Sequence, residues 1–146
     1  MAKTPHERWA MGTLCTGLGL TVLATIVPYT DLDLLAGHIR TGYPTYAQTQ
    51  IDSAVGTYLV LLSVIGALGV IAWFGTTWAV NAGKRWARPA ATVMFVLGTG
   101  SGLAGLLTKD TSGATGLPPV LGWAGMTPCL AGALAVALLW KRPRST

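Results

Sequence analysis

The fold is decided by one uncharged stretch, AVGTYLVLLSVIGALGVIAWFGTTWAV at positions 54–80, which contains no Asp, Glu, Lys, Arg or His. A helix rises about 1.5 Å per residue and the hydrocarbon core of a bilayer is about 30 Å thick, so this stretch is long enough to cross a membrane. Asp52 precedes it, and a basic group follows it: Lys84, Arg85 and Arg88. This asymmetry predicts that its C-terminal end faces the cytoplasm.

The composition agrees with a lipid environment. Of the 146 residues, 51% are apolar and only 10% are charged, whereas soluble domains average about 25% charged residues. The net charge of +5 comes from short basic clusters between apolar runs, not from one basic face. The predicted partner is therefore the lipid bilayer and its anionic headgroups, and no nucleic acid is expected.

Three further apolar runs complete the prediction. We expect one domain over residues 1–146, an all-α integral membrane four-helix bundle with antiparallel neighbours. Its predicted spans are 9–28, 54–80, 90–107 and 119–140. Pro28 favours a break at the end of the first span, and Asp52 or Ser53 is the expected N-cap of the second. Pro128 should kink the fourth span and free the carbonyl of Ala124 for another donor.

The polar segment 30–50 predicts a short interfacial helix between helices 1 and 2. Thr30 is its expected N-cap, and Gly42 is expected to end it. An apolar face follows from spacings of three and four residues, formed by Leu32, Leu35 and Ile39.

The basic residues predict the orientation. With both termini cytoplasmic, only Arg40 and Lys109 lie outside. The inner residues are Lys3, Arg8, Lys84, Arg85, Arg88, Lys141, Arg142 and Arg144. Because all the loops are short, the positive-inside rule applies to every one of them.

Small residues predict how the helices associate, because apolar burial does not drive association within lipid. The expected packing residues are Gly98, Gly102 and Gly105 in the third span and Gly66 and Gly69 in the second. The third span carries the deepest stripe, so we expect it at the centre of the bundle. The same stripe is equally suited to a partner helix or to a second copy of the chain.

Replacing Gly102 with Leu is expected to destabilise the bundle, because a larger side chain overpacks a close helix contact by about 1–3 kcal/mol. A thermal-shift assay in detergent measures the change. An unchanged melting temperature would contradict the central placement of the third span.

A polar cluster forms the candidate binding site at the outer end. Its members are Asp31, Asp33, His38, Arg40 and Asp52, framed by Tyr43, Tyr46 and Tyr58. One interpretation is a small-ligand or metal site in which the imidazole is a ligand or a base. The favoured interpretation is structural, with the acids capping helices and the guanidinium paired. One histidine is weak support for a metal, so no metal or cofactor is predicted.

Catalysis and ion coupling in membranes usually require an ionisable residue within the spans, and none is found at depth. Small multidrug-resistance exporters depend on a glutamate embedded in the first helix, whereas Glu7 precedes the first span. The run 98–102 (GTGSG) lies inside an apolar stretch with no Lys after it, so a phosphate loop is not indicated.

In general plan, the chain resembles small four-helix proteins of bacterial inner membranes. The segments that carry the resemblance are Gly37-His38-Ile39-Arg40 with Tyr43-Pro44-x-Tyr46, and Lys84-Arg85-Trp86-Ala87-Arg88. The resemblance implies a bacterial plasma-membrane location and brings no activity with it.

Three functions follow as hypotheses. The first is a non-enzymatic accessory or scaffolding subunit that packs against partner membrane helices. The second is a membrane-embedded binding protein or enzyme for a lipophilic molecule, with its polar end at the outer segment 30–52. A channel or transporter is the weakest, because no span has a continuous polar stripe.

Overall fold

A computed structural model describes residues 4–141; the predicted inner residues Lys3, Arg142 and Arg144 lie outside that range. The described chain is helical, in the order α1 (Pro5–Thr30), α2 (Leu32–Gly42), α3 (Gln48–Asn81), α4 (Ala87–Leu107) and α5 (Pro119–Trp140). Four of these helices, all but α2, are long and apolar enough to cross a membrane. The prediction of an all-helical chain with four long apolar helices is therefore confirmed.

The junction between α1 and α2 lies one residue later than predicted. Helix α1 continues through Pro28 to Thr30, whose hydroxyl donates back to the carbonyl of Val27 at 2.7 Å. Asp31 leaves the helical backbone and accepts a hydrogen bond from the amide of Leu34 at 3.0 Å. The prediction of Thr30 as the N-cap is therefore wrong, because Thr30 still belongs to α1.

Helix α3 begins earlier than its predicted span. Its N-terminus is closed by Gln50, whose side chain accepts from the amide of Ala47 at 2.8 Å. Asp52 lies inside the helix and accepts from the side chain of Gln48 at 2.7 Å. Neither Asp52 nor Ser53 is thus the N-cap, because a Gln at the third helical position caps the helix from within.

Two side-chain hydrogen bonds connect α1 with α3. Trp73 of α3 donates through Nε1 to the hydroxyl of Thr21 in α1 at 2.8 Å. Farther along, Tyr29 and Ser63 share a hydrogen bond of 2.5 Å. Between these two contacts, residue numbers rise along α1 while they fall along α3.

Helices α1 and α5 form the centre of the bundle. Within the most apolar window of each helix, 28% of the residues are buried in α1 and in α5, against 6% in α3 and in α4. Among the described helices, α4 packs against α5 and more sparsely against α3, and makes no contact with α1. The predicted central placement of the third span, α4, is therefore wrong.

Several glycines let large side chains of a neighbouring helix approach closely. A Cβ at Gly17 of α1 would overlap the ring of Trp73, and a Cβ at Gly132 of α5 would lie 3.0 Å from Phe95. Large side chains from α3 and α4 thus need glycines on α1 and α5. By contrast, a Cβ at Gly98 of α4 would meet no atom within 4 Å.

The outer end has a compact apolar core of its own. Leu35 and Ile39 of α2 are buried against Ile51 of α3 and Leu121 of α5. Leu32, predicted on the same face, is instead 46% exposed. This core holds α2 against the N-terminal turns of α3.

Pro128 in α5 removes one backbone hydrogen-bond donor, and a nearby side chain replaces it. The carbonyl of Ala124, four residues before Pro128, accepts a hydrogen bond from the hydroxyl of Thr127 at 2.7 Å. A side chain thus supplies the donor that proline lacks, as the sequence predicts.

Gly66→Ala is expected to lower the melting temperature, because the new methyl group would overlap Thr25, whose hydroxyl donates to the carbonyl of Thr21. Overpacking of this kind costs about 1–3 kcal/mol. The matched control is Gly75→Ala in the same helix, where a Cβ meets nothing within 4 Å. Thermal unfolding in detergent checks the pair, and equal melting temperatures would contradict the close contact between α1 and α3.

Candidate functional site

Two features are candidates: a polar cap at the outer end and a cleft between α3 and α4. We use "outer cap" for α2 together with the hairpin at residues 108–116. The hairpin is closed by a bridge between Lys109 and Thr115, and it turns through Gly113 at φ +83°. A positive φ of this kind favours glycine, which has no Cβ.

Two hydrogen bonds attach the hairpin to α2 and the turn that follows it. His38 donates through Nε2 to the carbonyl of Thr115 at 2.6 Å, so this ring nitrogen carries a proton. The hydroxyls of Tyr43 and Thr111 share a hydrogen bond of 2.8 Å. His38 thus links two distant parts of the chain through Nε2, and its other ring nitrogen, Nδ1, takes no part in this hydrogen bond.

Asp110 organises the tip of the hairpin. Its carboxylate accepts hydrogen bonds from the amide of Ser112, at 2.8 Å, and from the hydroxyl of the same residue. The hydrogen bond from the Ser112 hydroxyl is the main reason that the pKa of Asp110 lies below its ordinary value, and Tyr43 and His38 contribute in the same direction. The charged form of Asp110 is therefore the form that the folded hairpin favours.

The predicted outer cluster divides into separate groups. Arg40 donates to the side-chain oxygen of Gln48 at 2.6 Å, and Gln48 in turn donates to Asp52. Asp31 caps α2, while Asp33 lies exposed in the first turn of that helix.

The aromatic members form a second group. Tyr46 stacks on Tyr43 with ring centroids 4.6 Å apart. Tyr58 lies beside the hairpin, where a Cβ at Gly116 would be 3.0 Å from its hydroxyl. Within residues 4–141, no three His, Cys, Asp or Glu side chains lie close enough together to hold a metal ion.

Sequence reasoning missed the partners of this cap. Thr115 lies 77 residues from its partner His38, and Thr111 lies 68 residues from its partner Tyr43. The available signal was the Asp110-Thr-Ser-Gly113 turn, whose residue types favour a tight loop. That signal predicts the turn but not the helix on which it docks.

The second feature is a cavity of about 520 Å³. The predicted packing glycines of α3 and α4 all lie in its walls. These residues are Gly66, Gly69, Gly98, Gly102 and Gly105. Gly98 in particular faces open space, so its missing side chain widens the cleft rather than admitting a neighbouring helix.

Exposure shows where the cavity opens. Leu68 of α3 and Leu97 of α4 line it and are 61% and 60% exposed. Leu14 of α1 and Ala135 of α5 also line it, and both are 1% exposed. The cavity is therefore a cleft with its mouth between α3 and α4 and its back wall on α1 and α5.

The ends of the cleft are set by different residues. Trp73, Thr76 and Ala91 lie at the end near the 82–86 turn, which we call the inner end. Leu117 and Gly105 lie at the other end, next to the hairpin. The cleft thus extends from Thr76 and Ala91 to Leu117, the residue that follows the hairpin.

Few polar groups line the cleft. Thr21 donates to the carbonyl of Gly17 and accepts from Trp73, and Thr25 donates to Thr21. Thr76 is 6% exposed and also lines the cleft. Among residues 4–141, the lining of the cleft includes no Asp, Glu, Lys, Arg or His.

The chain matches no protein-family model, no curated protein and no solved structure.

Asp110 makes the outer cap acid-sensitive. Because its pKa is lowered in the folded chain, its stabilising effect is present above the ordinary Asp pKa of about 3.9 and is lost as the pH falls through the lower folded value. Hydrogen exchange of residues 108–117 in detergent should therefore accelerate, after correction for intrinsic rates, as the pH drops below about 4. Asp110→Asn should remove that acid response, and Asp33→Asn is the control. An acid response that persists in Asp110→Asn would contradict this role.

Proposed function

We propose that this chain is a multi-pass protein of the bacterial plasma membrane that binds a lipophilic small molecule in the cleft between α3 and α4. In this proposal α1, α3, α4 and α5 cross the bilayer as an antiparallel bundle, with both termini in the cytoplasm. The length and apolar character of the four helices support the crossings. The basic turn at Lys84 and Arg85 supports the orientation.

The single observation that carries the binding proposal is the cleft. Its volume of about 520 Å³ lies within the range of about 300–1,000 Å³ that is usual for small-molecule sites. Its lining is mostly apolar, and its mouth is flanked by exposed leucines, Leu68 and Leu97. A ligand dissolved in the hydrocarbon can therefore enter sideways without passing through water.

In this proposal the ligand binds in the cleft and not at the polar segment 30–52. The side chains of His38 and Tyr43 form hydrogen bonds with the hairpin, and Arg40 donates to Gln48 of α3. We therefore assign that segment the structural role of joining α2 to the hairpin and to α3.

A second candidate function is the accessory subunit. One observation favours it: α4 packs mainly on α5 and leaves Gly98 and Gly100 exposed on its surface. A partner helix would bring side chains into that space instead of a small molecule.

Native mass spectrometry of the protein purified in mild detergent from its own membrane tests the two candidates. The binding proposal predicts a bound small molecule that Gly98→Leu removes, because the new side chain fills the cleft. The matched control Gly100→Leu should retain it, because Gly100 lies outside the cleft. A ligand that persists in Gly98→Leu, or a stoichiometric protein partner with no small molecule, would contradict the proposal.

A further inference from the structure

The turn between α3 and α4 carries a concentrated positive charge. Lys84, Arg85 and Arg88 fall within five consecutive positions, and all three residues are exposed. Positions 53–109 contain no acidic residue, so neither this turn nor α4 supplies a carboxylate to neutralise them. The carboxylate of Glu7, in the first turn of α1, accepts a hydrogen bond from the backbone amide of its own helix N-cap. Because like charges this close repel one another, the turn is suited to bind an anion.

Backbone hydrogen bonds fix the shape of this turn. The amide of Lys84 donates to the carbonyl of Ala79 at 3.0 Å, and the amide of Gly83 donates to the carbonyl of Val80 at 3.1 Å. Together with the φ of +63° at Gly83, these two hydrogen bonds form a Schellman motif at the end of α3. The backbone from which Lys84 projects is therefore held in a defined position.

Two exposed tryptophans lie beside the charges. The Lys84 ammonium lies 5.8 Å from the centroid of the Trp78 ring, which is close enough for a cation–π interaction. The ring centroids of Trp78 and Trp86 lie 6.4 Å apart. The two side chains are 59% and 50% exposed. Exposed indole rings are typical of the headgroup level of a bilayer, where a neighbouring cation meets lipid phosphate.

An apolar face of α3 leads to this cluster. Ile71, Phe74 and Trp78 follow one another at spacings of three and four residues, so they share one face of the helix. Ile71 and Phe74 are 66% and 61% exposed. The α3 wall of the cleft is formed by other residues, among them Ala72 and Thr76. The exposed face therefore offers an acyl chain a path outside the cleft, and that path ends at the basic turn.

We propose that an anionic phospholipid binds on this face of α3, with its phosphate at Lys84 and the rest of the basic turn and an acyl chain along Ile71 and Phe74. This inference rests on the membrane crossings in the proposed function and adds a lipid site separate from the cleft. A soluble anion would match the charge but would make no use of the apolar face. Charge and apolar face together select a phospholipid of the leaflet that surrounds the turn.

Native mass spectrometry of the full-length protein in detergent, titrated with phosphatidylglycerol or with phosphatidylcholine of the same acyl chains, tests the inference. Phosphatidylglycerol should bind more tightly, because its headgroup carries no cation to neutralise the phosphate. Lys84→Gln should weaken phosphatidylglycerol binding about fivefold, since one basic residue at an anionic membrane surface is worth about that factor. Binding of phosphatidylcholine should not change. Lys109→Gln, the same change of charge in the hairpin, is the control and should leave both affinities unchanged.

A second variant tests the aromatic part of the site. Trp78→Leu keeps an apolar side chain but removes the ring that the Lys84 ammonium faces. It should weaken phosphatidylglycerol binding about two- to fivefold, the range expected for an exposed cation–π interaction. The matched control is Trp123→Leu in α5, where the tryptophan is 66% exposed but lies near the hairpin end of the bundle.

The outcomes also separate this inference from the proposed function. Equal affinity for the two lipids, equal effects of Lys84→Gln and Lys109→Gln, or displacement of phosphatidylglycerol by inorganic phosphate would each overturn the inference. Gly98→Leu fills the cleft and should leave phosphatidylglycerol binding unchanged. If Gly98→Leu instead abolishes that binding, the lipid occupies the cleft, so the inference fails and the proposed function stands. If Lys84→Gln acts as expected while Gly98→Leu retains the small molecule that copurifies, the proposed function fails and the inference stands.

Discussion

The whole structure depends on one constraint: in hydrocarbon, every backbone N–H and C=O must find its partner within the chain. Only regular helices satisfy this along the exposed surfaces of α3 and α4. Leu68, Ile71 and Phe74 follow one another along α3, each at least 61% exposed. So large an apolar surface would favour aggregation in water, whereas in a bilayer it would contact lipid chains that are also apolar. The proposed bilayer therefore accounts for an exposed apolar surface that burial within the chain does not explain.

Because of the same constraint, the helices associate through close contact and hydrogen bonding rather than through apolar burial. Trp73 shows both at once. Its ring lies where a Cβ of Gly17 would be, and its Nε1 donates to Thr21, which donates to the carbonyl of Gly17. Helix α3 is thus bound to α1. Because α4 is bound mainly to α5, the space between α3 and α4 remains open as the cleft.

The long uncharged runs were sufficient to predict four long helices, because length and the absence of charge are properties of single segments. Helix ends were less predictable, since Asp31 and Gln50 cap helices for which Thr30 and Asp52 were expected. The glycine stripe of α4 led to the wrong prediction that this helix lies at the centre of the bundle. Gly98 faces the cleft because pairing of α1 with α5 excludes α4 from the centre, which is a property of the whole bundle.

The central claim is that hydrocarbon surrounds four crossing helices, with both termini on the side of the α3–α4 turn. Its most direct measurement is labelling of single cysteines by a membrane-impermeant maleimide in sealed right-side-out vesicles. The background replaces Cys15 and Cys129 by Ala, and the label sites are His6→Cys, Lys84→Cys and Thr45→Cys. The account predicts that Thr45→Cys reacts in sealed vesicles, while the other two react only after permeabilisation. Equal labelling of Lys84→Cys and Thr45→Cys in sealed vesicles would contradict it.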